Sequence, residues 1–357
     1  MRDAFFGHAL LRLPGFDSDR LLRLRRKFSS YEAVWRADAH LLQQKEITPE
    51  TVALLTATRQ STPEKEAKKL SHSDIELLSP YEQGYPPDLL QIPDPPLLYL
   101  RGNPQLLQKA HRLAVVGSRR YTSYGQQATS HLISDLDQRI VVVSGLALGI
   151  DALAHLSALA AGLPTIAVLG GGIDDATIFP RNNYALAQRI LATGGLLLAE
   201  QPPGVSPHPY DFPRRNRIIA GLSRGVLIVE AAARSGALIT ALLGLEYNRE
   251  VMAVPGTIFQ HSSAGANMLL QKGAHLVQNG QDIANALQLI AITQKRRVAP
   301  LSVIEQKVMA AIADCEQSFD EIVRISHLSA AEVTAIITTL ELKQHIYQPR
   351  PGFFGKK

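Results

Sequence analysis

Six short apolar runs constrain this chain more than any other feature. They are Leu113–Val116, Ile140–Ser144, Thr165–Leu169, Leu196–Glu200, Val226–Glu230 and Val251–Pro255. Each is rich in valine, isoleucine, leucine or alanine, and none alternates apolar with polar residues. A strand without alternation has to be covered on both faces, which is the mark of a parallel sheet clothed in helices. Stretches with helical spacing lie between the runs, at about 123–136, 149–161, 182–192, 214–222, 236–248, 265–272 and 281–290. This order predicts a doubly wound α/β domain with a mostly parallel sheet.

The flanks differ in character. Residues 1–79 read as a helical domain: leucines recur at helical spacing in Asp19–Phe28 after a Leu13-Pro14-Gly15 turn, and Thr48-Pro49-Glu50 is a helix start. Their acids and bases nearly balance, so a solvated face is expected there. Prolines between 80 and 110 forbid regular helix and predict an extended connection ending in the strand Leu97–Leu100, which extends the central domain to 80–291. Residues 292–300 read as a charged linker ahead of Pro300. Beyond it, helices at 302–313, 318–325 and 330–342 precede a short hairpin, the winged-helix pattern, over 301–357. Acids outnumber bases seven to four across 301–355, and the third helix has no basic residue before Lys343. DNA reading by that helix is disfavoured, and protein docking or a structural role is expected.

The 357 residues are 46% hydrophobic and 19% charged, with a net charge of +5, so a sizeable core is available and nucleic acid is an acceptable partner. A single cysteine, Cys315, excludes a disulfide framework and a cysteine zinc site, and a reducing cytoplasm is the natural compartment. The N-terminal residues resemble no signal peptide, and the apolar stretch 140–173 is too interrupted for a membrane span.

Ligands in such sheets bind beyond the carboxyl ends of the strands. Glycine marks most of those ends here: Gly117-Ser118-Arg119, Ser144-Gly145 through Gly149, Gly170-Gly171-Gly172, Gly204, Gly236 and Gly256. Arginine adds a phosphate signal. Arg181, Arg189, Arg214, Arg215, Arg217 and Arg224 share residues 181–224 with only Glu200 and Asp211 as acids, and Arg119 joins them. The run Arg214-Arg215-Asn216-Arg217 opens a predicted helix, where backbone N–H groups also favour an anion. Aromatics are interleaved: Tyr121, Tyr124, Phe179, Tyr184, Tyr210 and Phe212. Arginines tracking phosphates beside rings that stack bases suit a single strand, with Phe212 the first base contact and Phe259 expected in the core.

Other constellations read as structural. Asp151 and His155 share a helix face without a third ligand, so a helix-start carboxylate and a hydrogen-bonded core histidine are expected. Glu200 and Glu230 end strands and are expected to orient Arg214–Arg217. Ser144 and Ser235 lack a matched histidine and acid, and Cys315 is expected to be buried and inert. No Walker A lysine motif or Gly-x-Gly-x-x-Gly is present. A nucleotide or phosphoribosyl hydrolase on this type of fold is the alternative. Lysine-decarboxylase-like phosphoribohydrolases carry Pro-Gly-Gly-x-Gly-Thr-x-x-Glu, whereas Arg234–Thr240 here is followed by Ala241-Leu242-Leu243 and lacks the glutamate.

With these motifs in order, the chain resembles the bacterial DNA-processing protein family, DprA (also called Smf). The likeness runs from about 80 to 278. It rests on Val115–Arg119 with Tyr124-Gly125, on Ser144–Asp151 with His155, and on Phe212-Pro213-Arg214-Arg215-Asn216-Arg217 through Ser223. Glu230, Ser235-Gly236, Thr240, Val254–Gly256, Gly265, Asn267 and Gly273-Ala274 complete it. The resemblance implies a Rossmann-like domain between an N-terminal helical domain, similar to a sterile-alpha-motif or helix-hairpin-helix unit, and a C-terminal winged helix. It implies a non-enzymatic role without cofactor, metal or catalytic residues: binding single-stranded DNA, protecting incoming DNA and helping to load RecA in natural transformation. By motif, the implied contacts are Gly117, Ser118, Arg119, Ser144, Gly145, Gly171, Gly172, Arg181, Phe212, Arg214, Arg215, Asn216 and Arg217. A homodimer through the Rossmann-like domain is also implied, with Met268, Leu269 and Leu276 at its face. Some relatives have a lysine where Pro209 stands here, and Arg181 is the available replacement cation. Phe179-Pro180 stands where the family often has Tyr-Pro.

Overall fold

The computed structural model describes residues 2–13, 16–45, 47–57, 63–71, 73–80, 82–289, 302–312, 316–342 and 345–356. The expected turn at Leu13-Pro14-Gly15, the linker 292–300 and Cys315 lie wholly or partly outside them. Residues 1–290 form one compact unit and 291–357 a second.

The first unit is built on a nine-stranded sheet. Its strands are β1 (Glu76–Leu78), β2 (Leu98–Gly102), β3 (Arg112–Val116), β4 (Val141–Ser144), β5 (Thr165–Leu169), β6 (Leu196–Ala199), β7 (Gly225–Ile228), β8 (Glu250–Ala253) and β9 (His275–Leu276). The spatial order is β1-β2-β6-β5-β4-β3-β7-β8-β9. From β6 to β9 every pairing is parallel, while β1 and β2 add an antiparallel margin. All six apolar runs became strands. Every residue of β3 to β7 is buried, as unbroken apolar runs require.

Two layers cover the sheet. Leu113 and Val115 of β3 pack with Leu132, Ile133, Ile150 and Ala154 on one face. Their neighbours Ala114 and Val116 pack with Ile218, Ile219, Leu222 and Ala241 on the other, the two-residue period of a strand turned into two cores. The N-terminal helices share a third core with the sheet: Phe6, Leu10 and Tyr31 pack with Tyr99, Leu169 and Leu197. The contact is also polar. His8 Nδ1 and Tyr99 Oη lie 2.8 Å apart in the interior, and burial pushes the His8 imidazole down to about 4.

The winding reverses beside β3. Strands β4, β5 and β6 extend to one side of it, and β7 and β8 to the other. The loops after β3 and β7 therefore diverge to opposite faces and leave a crevice between them, the usual ligand position in an open α/β sheet.

The second unit has helices Val303–Ala311, Phe319–Ser326 and Ala330–Leu342 and a three-stranded sheet of Gln317–Ser318, Ile346–Arg350 and Phe353–Lys356. Val308, Ile322, Val333, Ile337, Leu340 and Phe354 form its core. This is a winged helix. The exposed face of its third helix carries Glu332, Thr334, Thr338 and Thr339 and no cation, and the three threonine hydroxyls donate to carbonyls of the preceding turn. Among the described residues no helix is long and apolar enough to cross a membrane, and no cluster of three metal-ligating side chains occurs.

Candidate nucleic-acid interface

A cavity of about 870 Å³ opens at the reversal point. One wall is the loop after β3, Val116–Arg120. The facing wall is the loop after β7, Ala232–Ala237, with Ile239 and Thr240 of the next helix. The helix Asp211–Leu222 contributes Phe212, Pro213, Arg215 and Asn216, and His261 closes one side. Arg119, Arg120 and Arg234 are exposed. Among the described residues none of the three forms an ion pair, and the only carboxylate in the lining is the buried Asp151. The guanidinium of Arg119 lies 5.5 Å from the centre of the Phe212 ring, whose other neighbour is Phe179 at 5.7 Å between centroids. A cation and an aromatic face thus stand side by side at the mouth.

Helix phase explains what happened to the arginine cluster. Residues 214 and 217 are three apart and share a helix face, while 215 points elsewhere. Arg214 and Arg217 both turn to Glu200, at 2.9 and 2.7 Å. Arg214 also pairs with Asp19 of an N-terminal helix at 2.7 Å, and Arg217 donates to the Asp94 carbonyl at 2.5 Å. Neither lines the cavity. Glu200 orients them as expected, but Glu230 does not. Its carboxylate accepts from Thr122 N at 2.9 Å and Thr122 Oγ1 at 2.6 Å, bracing the β3 loop instead. Gly125 is required there, because a Cβ would overlap that carboxylate.

Arg215 forms part of the cavity floor. It is buried and donates to Gly145 O at 2.5 Å and to Val168 O. Burial pushes its guanidinium down to about 10, against the charge of Asp151, and Arg119 adds to the lowering; it remains a cation at neutral pH. Asp151 accepts from Gly145 N at 3.0 Å, and burial raises its carboxyl above the ordinary carboxylate value. Asn183 donates to Leu146 O at 2.8 Å and Ala147 O at 3.1 Å. These groups hold the loop after β4 through Leu146, a non-glycine residue at φ +56°. Buried hydrogen bonds sustain such a conformation, and it presets the crevice. His155 is a core histidine bonded to Thr165 at 2.7 Å, pushed down to about 3 by burial.

The remaining sequence-derived positions divide. Gly117, Ser118, Arg119, Phe212, Arg215 and Asn216 come together in the lining. Ser118 shapes its own turn, donating to Arg120 O at 2.6 Å. Ser144 is wholly buried and donates to Val115 O at 2.7 Å. Gly145 lies under the floor, where a Cβ would overlap the Arg215 guanidinium. Gly171 and Gly172 are buried beneath the 202–207 segment, with Gly172 N bonded to Val205 O at 2.8 Å. Arg181 is exposed but outside the lining, its guanidinium 4.8 Å from the Tyr184 ring centre. Arg224 precedes β7 and so sits at the opposite edge of the sheet.

Arg120, Arg234 and His261 were missed by sequence reasoning; Arg234 carried a signal, since its loop was one of the strand-end loops bearing glycine. Phe259, expected in the core, is 90% exposed. It follows β8 on a loop tip rather than a packed element.

Met268, Leu269 and Leu276 lie along the far margin of the sheet. Leu269 is buried, Leu276 is half exposed, and Met268 and Leu269 line a cavity of about 470 Å³ with Leu242 and Leu245 of the helix Ala237–Glu246, whose lining also includes Arg234, Arg249, Glu250, Lys272 and His275.

Comparison with known proteins agrees with this architecture. The model of the family described as DNA recombination-mediator protein A matches residues 76–288, and that of the DprA winged helix domain matches 293–349. The DNA processing protein DprA of Streptococcus pneumoniae is 46% identical over 200 residues, covering 56% of this chain and 70% of that protein. An X-ray structure of DprA from S. pneumoniae superposes with a TM-score of 0.67 at 34% identity, covering 80% of this chain and 98% of that one. A structure of DNA processing protein A from Helicobacter pylori, described for its single-stranded DNA binding mode, superposes with a TM-score of 0.53 at 33% identity, covering 61% of this chain and 97% of that one. The family model alone spans more than half of the sequence, and the chain is a member of the DNA recombination-mediator protein A family.

Proposed function

We propose that the cavity at the sheet's reversal point binds single-stranded DNA, and that the protein acts without catalysis. In this reading it protects incoming DNA and helps load RecA during natural transformation in the cytoplasm. The observation that carries the reading is the lining itself. Three exposed arginines, Arg119, Arg120 and Arg234, have no acid partner among the described residues and line the cavity with Phe212, whose ring stands beside Arg119. Cations on both walls track a phosphate backbone, and the ring takes a base by stacking, which is worth about 1–3 kcal/mol per base. Asn216 adds a polar side chain at the same mouth. Arg215 contributes a fixed positive charge from below without reaching out. Arg214 and Arg217 hold the helix that presents Phe212 rather than touching the strand.

The test is salt dependence with competition. Three arginine–phosphate contacts on a single strand give a log–log slope of about −2 against salt, or roughly a 20-fold loss of affinity between 50 and 200 mM. ATP and AMP should not displace the strand at micromolar concentration. A flat salt response, or displacement by nucleotide with turnover, would replace this reading with the hydrolase alternative.

The apolar margin around Met268, Leu269 and Leu276, broadened by Leu242 and Leu245, supports a homodimer through the Rossmann-like domain. Leu242 and Leu245 are each more than half exposed, and contiguous apolar surface of this kind marks association. Sedimentation should give a dimer at micromolar concentration and a monomer for Leu242→Glu. A monomeric native protein would rule this face out.

A further inference from the structure

The loop after β8 holds two large apolar side chains in solvent. Ile258 is 84% exposed and Phe259 90%. Single exposed hydrophobics are ordinary; this pair differs in how it is held. The Asn267 side chain grips Gly256 from both sides, accepting from its N–H at 3.1 Å and donating to its carbonyl at 2.9 Å. Tyr124 Oη donates to Pro255 O at 2.6 Å. Ser263 N donates to Gln260 O at 3.0 Å, and Ser262 Oγ reaches the Glu230 carboxylate at 3.4 Å. Inside the loop, Gln260 N donates to Thr257 O at 3.2 Å and Phe259 N to Thr257 Oγ1 at 3.4 Å. Both feet are braced, and the tip carries only apolar side chains.

Its position matters as much as its rigidity. His261, two residues beyond Phe259, lines the cationic cavity with Arg119 and Phe212. Tyr124, 41% exposed, lines a smaller cavity of about 350 Å³ with Pro255, Gly256, Thr257 and Gln260 on the same loop. Glu230 ties this loop to the one carrying Arg119 and Arg120, since it accepts from Thr122 as well as from Ser262. The tip is therefore held in register with the arginine wall. Phe259 is the exposed ring two residues along the chain from that lining.

We infer that Phe259 is a second stacking station, receiving an unpaired base of the strand held in the cavity. The inference deepens the proposed function and rests on it. The cavity supplies the charge and the loop supplies an uncharged ring, the two components of a sequence-tolerant single-strand track. Ile258 extends the apolar surface beside the ring.

The test compares a thymidine 20-mer with a 20-mer of the same backbone lacking bases. Phe259→Ala should weaken binding of the thymidine strand about tenfold, 1.4 kcal/mol, and leave the baseless strand unchanged. Phe259→Trp should restore the affinity. Unchanged binding of the thymidine strand by Phe259→Ala would overturn the inference, and so would equal losses on both strands. A change in sedimentation with intact DNA binding would also overturn it and make the tip a protein contact. Arg119→Ala is the control for the parent reading and should weaken both strands. If Arg119→Ala weakens them and Phe259→Ala does not, the stacking station fails while the cavity stands.

Discussion

Arg119→Ala is expected to weaken single-stranded DNA binding by about 10- to 150-fold while the protein remains folded. A charge-assisted hydrogen bond to phosphate is worth about 1.5–3 kcal/mol, and each 1.4 kcal/mol is tenfold in affinity. Arg119 is exposed and forms no ion pair among the described residues, so its removal leaves no orphaned partner. Arg217→Ala should behave in the opposite way. Arg217 is 13% exposed at its side chain and committed to Glu200 and the Asp94 carbonyl. Losing one partner of a buried pair costs about 3–5 kcal/mol, reduced here because Arg214 still serves Glu200. Fluorescence anisotropy and urea unfolding on both variants separate the two roles. Equal affinity losses with equal stability would mean that both arginines touch the strand.

Gly149→Ala is expected to cost more than 3 kcal/mol and to abolish tight binding. Gly149 adopts φ +89° and ψ −134°, a conformation reserved for glycine. A methyl group there would overlap Ser118 O and lie 2.6 Å from Arg119 Cα. Both neighbours are backbone, so neither can step aside by rotating a side chain. The same carbonyl accepts from Ile150 N at 3.0 Å, which joins the loops after β3 and β4. Alanine at 149 therefore pushes the Arg119 loop off its support. Gly162→Ala is the matched control: it has φ +69° and open space around it. It should cost about 1–2 kcal/mol for the left-handed backbone and leave binding intact. If Gly149→Ala unfolds no more easily than Gly162→Ala and binds normally, the close approach of the two loops does not support the site.

The sheet was legible because its strands are buried on both faces. Val141–Ser144 is Val-Val-Val-Ser with every residue covered, and no other element accepts so short an unbroken apolar run. The outermost strand on each side was not legible. The strand at Glu76–Leu78 has three residues, and that at His275–Leu276 has two exposed ones, too few for any period. The sharing of a core between the N-terminal helices and the sheet was hidden as well, because Tyr31 and Leu169 meet only in the folded chain.

The site was half legible for a related reason. Glycines and arginines at strand ends pointed to the edge where the cavity opens, and Arg119 and Phe212 do face one another there. The sequence of the arginine run carried no information on the phase of its helix against the sheet. Phase sends Arg214 and Arg217 to Glu200 and places Arg215 under Gly145. Arg234 became part of the site only when the β7 loop turned back over the crevice.

The most direct measurement is a map of ultraviolet cross-links from a single-stranded oligonucleotide carrying 5-iodouracil. Adducts are expected on Phe212 and His261, the rings of the cavity lining, lost in competition with unlabelled single strand and retained in the presence of ATP. Adducts confined to the winged-helix unit or to the N-terminal helices, with none on Phe212 or His261, would contradict single-strand binding in the cavity.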